Sequence, residues 1–356
     1  MSEISYISLT NFRNLSSDTL DFHPHINFIS GVNGSGKTSL FEAIHITSQG
    51  QSFRTNNLAH CIKFNQKKFL LFAQYKNHKV GLSKSSQNVV TKINEKVIYK
   101  RSELVKLSPI KIINSDSLAL ISGSPKYRRQ FLDWVLFHVK PSYGKLVYQF
   151  THALKQRNRI LKVKKDLDQL SYWDNYIVEY SDQISKDRSK NINLLKATID
   201  ENLNDLIADL NISISYHFGN QSHVDLATAL NANRSRDIKF GFTSSGCHRA
   251  DFDLHSDGVL ARDVLSRGQE KRLALALIIS QILIISEHTN KKIILLIDDL
   301  DAELDSESIN LVFKHLKQLD IQLFISRLVP SIPEQLEDKQ YKMFHVEHGM
   351  IRARKN

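Results

Sequence analysis

At 356 residues, 41% hydrophobic and 24% charged, the chain is long enough for more than one compact unit and apolar enough to give each a core. Cys61 and Cys247 lie far apart and outside any Cys-x-x-Cys pair, which argues against a disulfide framework or zinc site and for a reducing cytosol. The net charge of +11 points to polyanionic partners.

The opening "MSEISYISLTNF" lacks the charged-then-apolar leader of a secretory signal. Ile4, Tyr6 and Leu9 are spaced for one face of a strand, and "INFIS" at 26–30 reads as a short buried strand. It runs into "GVNGSGKT", and "SLFEAIHITSQG" then reads as a helix stopped by Gly50. Apolar alternation between about 60 and 114, in "KKFLLFAQY" and "PIKIINS", predicts further strands. From about 116 to 210, long helical patterns dominate and glycines are scarce. Within that stretch, Lys126 to Lys165 carries eleven Lys or Arg against one acid, Asp133, nearly the whole positive excess of the chain.

"NISISYHF" at 211–218 and "IKFGFTS" at 238–244 return to strand character. A long apolar helix then follows "LSRGQ", with "KKIILLIDD" as a strand, a helix from about 306 to 319, the strand "IQLFIS" and a frayed basic tail, "RARKN". No apolar run is long enough to span a membrane. Strands alternating with helices at both ends imply a mostly parallel sheet: an α/β head built from 1–115 plus 236–356, carrying 116–235 as an inserted, mainly helical lobe.

Three segments carry chemistry. Gly31-Val32-Asn33-Gly34-Ser35-Gly36-Lys37-Thr38 satisfies G-x-x-x-x-G-K-[ST] between a strand and a helix. Its backbone amides and the helix N-terminus suit phosphate oxygens, Lys37 suits the β- and γ-phosphates, and Thr38 offers a hydroxyl to Mg2+. In "KKIILLIDD", Asp298 and Asp299 fall at the C-terminal end of a strand, where open α/β sheets bind ligands. Asp298 is placed to hold Mg2+ and Asp299 to orient or deprotonate water; the bland alternative is a helix cap or turn.

Third, Ser266 and Gln269 have capping-box spacing before the apolar helix. That tip, with Gly268, is structural alone or binds a phosphate, of this chain or of another. The cations Lys126, Arg128, Arg129, Arg157, Arg159 and Lys162 form a candidate DNA backbone contact, the alternative being a solvated helix face.

"LSRGQ" resembles the ABC ATPase signature, with Arg267 for its first glycine, and "DDLDAELD" resembles the joined Walker B and D-loop. More specifically, "LTNFRNL", "GVNGSGKTSLFEAI", "SGSPKYRRQFLDW", "PSYGKLVYQFTHALKQRNRIL", "GCHRADF" and "IDDLDAELD" resemble, in order, blocks of the RecF family of bacterial recombination mediators, over essentially the whole chain.

That resemblance implies an ABC-type head and two chains joined head to tail by ATP, so that Ser266, Gly268 and Gln269 of one meet nucleotide held by Lys37 of the other. It also implies nucleotide contacts for Arg13 and Asn14, an interface position for Asp305 and a switch position for Ser326. The role of His248, Arg249 and Asp251 stays open, with a contact to the signature helix suggested by their nearness in sequence. "INSDSL" at 113–118 departs from the family pattern, and Asp299 stands where most ABC ATPases carry glutamate, one methylene longer.

The function expected is therefore ATP-gated binding of duplex, gapped or junction DNA by a homodimer in the cytoplasm at the nucleoid. Weak, DNA-stimulated ATP hydrolysis serves release, and RecR, RecO and RecA are the partners the resemblance implies. An ATPase subunit of a membrane transporter is the alternative. A chromosome-structure ATPase of SMC type would need a far longer insert.

Overall fold

The computed structural model describes residues 3–220, 224–299, 306–333, 336 and 340–354. It divides into two compact units: Met1–Ser117 with Ile285–Asn356, and Leu118–Ile284. The second unit thus includes the stretch 236–284 that the sequence reading assigns to the head.

The first unit has two six-stranded sheets. One is antiparallel: β2 (Asp18–Asp21), β1 (Ile4–Thr10), β4 (Lys68–Tyr75), β5 (His78–Ser85), β6 (Val89–Ile93) and β7 (Lys96–Ile98), in that order. A register irregularity between Ile4 and Tyr6 shifts the pleat of β1 by one residue. Ile4, Ile7 and Leu9 are therefore buried and Tyr6 is not, against the simple alternation expected.

The other sheet runs β15 (Met350–Arg354), β14 (Tyr341–Glu347), β3 (Ile26–Ser30), β13 (Ile321–Arg327), β12 (Ile293–Ile297) and β8 (Ile110–Ile113). From β14 to β8 all neighbours are parallel. β3 and β12 are buried at every position, the pattern of strands covered on both faces. The expected frayed tail is instead strand up to Arg354, paired with β14 through a two-residue turn at His348-Gly349. Helix α1 (Lys37–Gln49) packs against β4, β5 and β8, which leaves Thr38 alone incompletely buried. Its polar residues are bonded accordingly: Thr47 Oγ1 meets Tyr75 Oη, and Ser48 Oγ donates to the Ser108 carbonyl. α2 (Arg101–Val105) packs on α1, and α10 (Ser306–Leu316) follows β12 in the chain.

The second unit is mainly helical: α3 (Pro125–Val139), α4 (Tyr143–Val163), α5 (Leu170–Asn202), α6 (Leu226–Ala232), α7 (Arg234–Phe240), α8 (Ala261–Val264) and all but the last turn of α9 (Arg267–His288). A three-stranded antiparallel sheet joins them, β11 (Val259–Leu260), β10 (Asp251–Ser256) and β9 (Ile212–His217). The strand expected over 238–244 is the end of α7, stopped by Gly241 at φ 75° with its N–H on the Asp237 carbonyl. The alternation of Ile238, Phe240 and Phe242 does not mark a sheet face there: both phenylalanines are exposed.

Candidate nucleotide site and nucleic-acid face

The parallel sheet orders the strands β3, β13, β12, so the loop after β3 and the aspartates after β12 emerge either side of β13. Ser326, near the end of β13, lies between them and is fully buried. Its Oγ donates to Asp298 Oδ1 at 2.7 Å and accepts the Asp299 N–H at 2.8 Å, so one hydroxyl fixes both acids. Asp299 takes a left-handed φ of 51°, unusual for a residue other than glycine, and this bond helps hold it there.

Lys37 Nζ lies 3.6 Å from Asp299 Oδ1 and donates to the Gly31 carbonyl at 2.8 Å. Burial raises the Asp298 pKa against the lowering effects of hydrogen bonds from Ser326 and Thr38; the Asp299 charge adds to the rise and the Lys37 charge opposes it. Thr38, Asp298, Asp299 and Lys37 are therefore gathered at one sheet edge, as the motifs predict.

The loop itself is held from two sides. Asn14 Nδ2 donates to the Gly34 and Ser35 carbonyls at 3.2 and 3.4 Å, and its Oδ1 accepts from Ser39 Oγ at 2.9 Å. The turn after β14 approaches from the other side: Gly349 N–H donates to the Ser35 carbonyl at 2.9 Å. A Cβ at Gly349 (φ +79°) would lie 2.0 Å from the Asn14 carbonyl oxygen, and one at Gly31 would lie 2.4 Å from that of Val346. No motif in the sequence points to this C-terminal turn as part of the site; the signal for the turn itself is the His-Gly dipeptide between two apolar segments.

Arg13, for which a nucleotide contact is expected, makes its own bonds within the chain. Its guanidinium makes paired bonds to Glu42 at 2.8 and 2.7 Å, and NH1 donates to the His60 carbonyl at 2.8 Å. Glu42, wholly buried on α1, also accepts from Ser52 Oγ at 2.5 Å and meets Arg54 at 3.4 Å. Desolvation pushes the Glu42 pKa up, but the bonds from Arg13 and Ser52 and the two arginine charges hold it below the ordinary value. Asn14 thus holds the loop itself, while its neighbour Arg13 fastens the same turn to α1 through Glu42. Asp305 lies outside the described residues.

At the second polar helix tip, the capping box forms reciprocally. Ser266 N–H donates to Gln269 Oε1 at 3.0 Å and Gln269 N–H to Ser266 Oγ at 3.3 Å. Ser266, Arg267 and Gly268 are exposed, and the space a Gly268 side chain would enter is open. Asp209 accepts from Gln269 Nε2 at 3.3 Å and from Arg272 at 2.6 Å, a second fastening that the motif does not reveal.

The basic block splits. Arg157 is completely buried, bonded to Asp174 at 2.5 Å, Asp237 at 2.7 Å and Thr243 at 3.0 Å, and cannot reach a phosphate. Arg128 is also buried, in a two-bond pair with Asp251 at 2.8 and 2.9 Å. Both are core ion pairs, because they lie on the inward stripes of α4 and α3. Arg129 is half-buried and donates to the Ala250 carbonyl. Lys126, Arg159 and Lys162 are exposed, with no ion pair among the described residues. The open question at 248–251 has a partial answer: Asp251 pairs with Arg128, Arg249 lies over the Phe242 ring at 5.2 Å, and His248, desolvated to a pKa of about 4, bonds the Thr243 carbonyl.

The RecF/RecN/SMC N-terminal domain model matches residues 3–352. The chain is 36% identical over 354 residues to the DNA replication and repair protein RecF of Psychromonas ingrahamii, covering 98% of this chain and 99% of that one. It is 38% identical over 363 residues to RecF of Pseudoalteromonas translucida, covering 99% and 100%. A solved structure of the recombination mediator protein RecF with ATP, of the RecFOR pathway, superposes with a TM-score of 0.87 at 26% identity, covering 99% of this chain and 98% of that one. With the phosphate loop, the aspartate pair and the full-length match all in agreement, the chain belongs to the RecF family.

Proposed function

We propose that the chain is an ATP-dependent DNA-binding protein of RecF type, acting in DNA replication and repair, in which nucleotide holds two copies together on DNA. The reading as a transporter subunit has no support from full-length relatives that are DNA replication and repair proteins.

The residues fit a nucleoside triphosphate with a divalent cation. Among the described residues, Ser35 Oγ and Asp299 Oδ1 are buried polar atoms with no hydrogen-bond partner, and α1 follows its N-cap Gly36 with no side-chain cap on its first amides. Those amides and Lys37 would hold the phosphates, and Thr38 and Asp298 the Mg2+. The bound cation supplies charge neutralisation on the phosphates. Asp299 Oδ1, carried on a strained backbone and steadied through Ser326, accepts the proton of the attacking water. Being one methylene shorter than glutamate, it reaches water less well, so hydrolysis is slow and ATP acts as a timer for the dimer.

The exposed Ser266–Gly268 tip suits the nucleotide of a second copy, since its helix N-terminus is positive and unobstructed. Exposed Lys126, Arg159 and Lys162 suit DNA phosphates, which gives binding without base readout. Partners of the RecR and RecO type follow from the RecFOR pathway named for the related structure, and RecA from the family resemblance alone. The observation that carries the reading is the meeting of Lys37, Asp298 and Asp299 at one sheet edge.

Mass measurement in solution tests it. Dimer is expected with ATP and gapped DNA, and monomer without ATP or with Lys37→Met; a monomer under every condition overturns the reading.

A further inference from the structure

The exposed face of α4 and the neighbouring surface of α5 hold a feature that phosphate binding does not use. Tyr148, His152, Lys155, Arg159 and Lys162 recur at steps of four and three along α4, so they share one face, and all are exposed. α4 contains no acid, and none of these three cations has an ion pair among the described residues.

Alongside, the rings of α5 touch in series. Trp173 meets His152 at 5.8 Å and Tyr172 at 5.1 Å; Tyr172 meets Tyr176 at 5.1 Å; Tyr176 stacks on Tyr180 at 5.9 Å. Tyr172 is 57% exposed and the others of the α5 series are half-buried. Among the described residues, the Tyr172 and Tyr176 hydroxyls reach only each other, at 3.5 Å. Trp173, Tyr176 and Tyr180 pack one side on the core of the unit and leave the other accessible, and a tyrosine hydroxyl that is covered normally finds a partner.

The chemistry selects the occupant. Bases within a duplex are already stacked, so a blunt duplex gains from the cations and nothing from the rings. Unpaired bases gain from both: aromatic side chains stack them in any sequence while cations follow the backbone. A protein partner would have to strip water from three unpaired cations on the same face. Of the exposed acids of α5, Glu179 and Asp182 flank Tyr180 and Asp200 and Glu201 lie at the far end, so a strand's path runs over Trp173, Tyr172 and Tyr176.

We propose that this face is a stacking platform for unpaired bases, through which the chain distinguishes a single-strand/duplex junction from blunt duplex. The proposal rests on the DNA-binding reading above and deepens it.

Two measurements on the full chain with ATP test it. By fluorescence anisotropy, a duplex with an oligo-dT tail should bind about tenfold tighter than the same duplex blunt. Trp173→Ala with Tyr176→Ala should abolish that gain and leave blunt-duplex affinity unchanged. Since the sequence holds two tryptophans, Trp134→Phe leaves Trp173 as sole reporter. Its emission should be quenched by the tailed duplex and not by the blunt one. This second reading changes no ring of the platform, so it stands even where the alanine variant is destabilised. A tail preference that survives the ring substitutions, or Trp173 emission blind to the tail, overturns the proposal and frees the face for a protein partner. Failure of the parent chain to bind any DNA overturns the functional reading, and this one with it.

Discussion

Arg157 and Arg159 are two residues apart and have opposite fates. The first sits among Asp174, Asp237 and Thr243 with no exposed surface, the second in water. Helical arithmetic separates them: Tyr143, Leu146, Phe150, Ala153, Arg157 and Leu161 fall at steps of three and four along the buried stripe of α4. A reading by charge alone groups the two; a reading by position does not. Arg157→Ala should therefore cost about 3–5 kcal/mol in urea or thermal unfolding, because it strands buried carboxylates, whereas Arg159→Ala should leave the melting midpoint in place and weaken DNA binding.

Glu42 supplies a pH test at the same scale. Its folded pKa is held below its ordinary value of 4.5, so its stabilisation is fully present above that value and is lost as the pH falls through the folded pKa. Acid unfolding should start in that window, and Glu42→Gln should flatten it while lowering stability at neutral pH by about 3 kcal/mol, through loss of the buried charge opposite Arg13.

Among the elements, the helix tip at Ser266 serves as both cap and candidate ligand. Each backbone bond of the capping box is made within the tip, while the Ser266 side chain remains exposed. Ser266→Arg should cost about 1 kcal/mol for the lost cap, leave ATP bound by monomers in equilibrium titration, and stop the ATP-dependent dimer in light scattering. A dimer that persists tells against the opposed-chain role. The box was legible because its two partners are three residues apart; the Asp209 fastening was not, because Asp209 and Gln269 are sixty residues apart in the chain. The segment 238–244 shows the converse failure: short apolar alternation is shared by strands and by helix ends, and here Gly241 decided for a helix stop.

For the whole molecule, charge is the quantity to weigh. Of the basic excess between Lys126 and Lys165, Arg128, Lys140 and Arg157 are neutralised by acids from elsewhere in the second unit. The charge left for DNA is smaller than a count along the chain implies. Plots of log affinity for duplex against log salt should still slope steeply down, and reversing Lys126, Arg159 and Lys162 together should flatten the slope by about 3, while ATP binding measured in the same samples stays unchanged.

Near neighbours in the chain set the phosphate loop between β3 and α1, the aspartates closing β12, the capping box and the parallel sheet that carries the site. Each depends on backbone geometry over a few residues, so spacing reveals it. The fold, by contrast, settled that half the strands of the first unit form an antiparallel sheet, that Ser326 ties Asp298 to Asp299, that Asn14 and the Gly349 turn grip the loop, that Arg13 turns to Glu42, and that Arg128 and Arg157 are core pairs. Those outcomes depend on which distant groups burial brings together. A buried charge must find its partner wherever the fold supplies one.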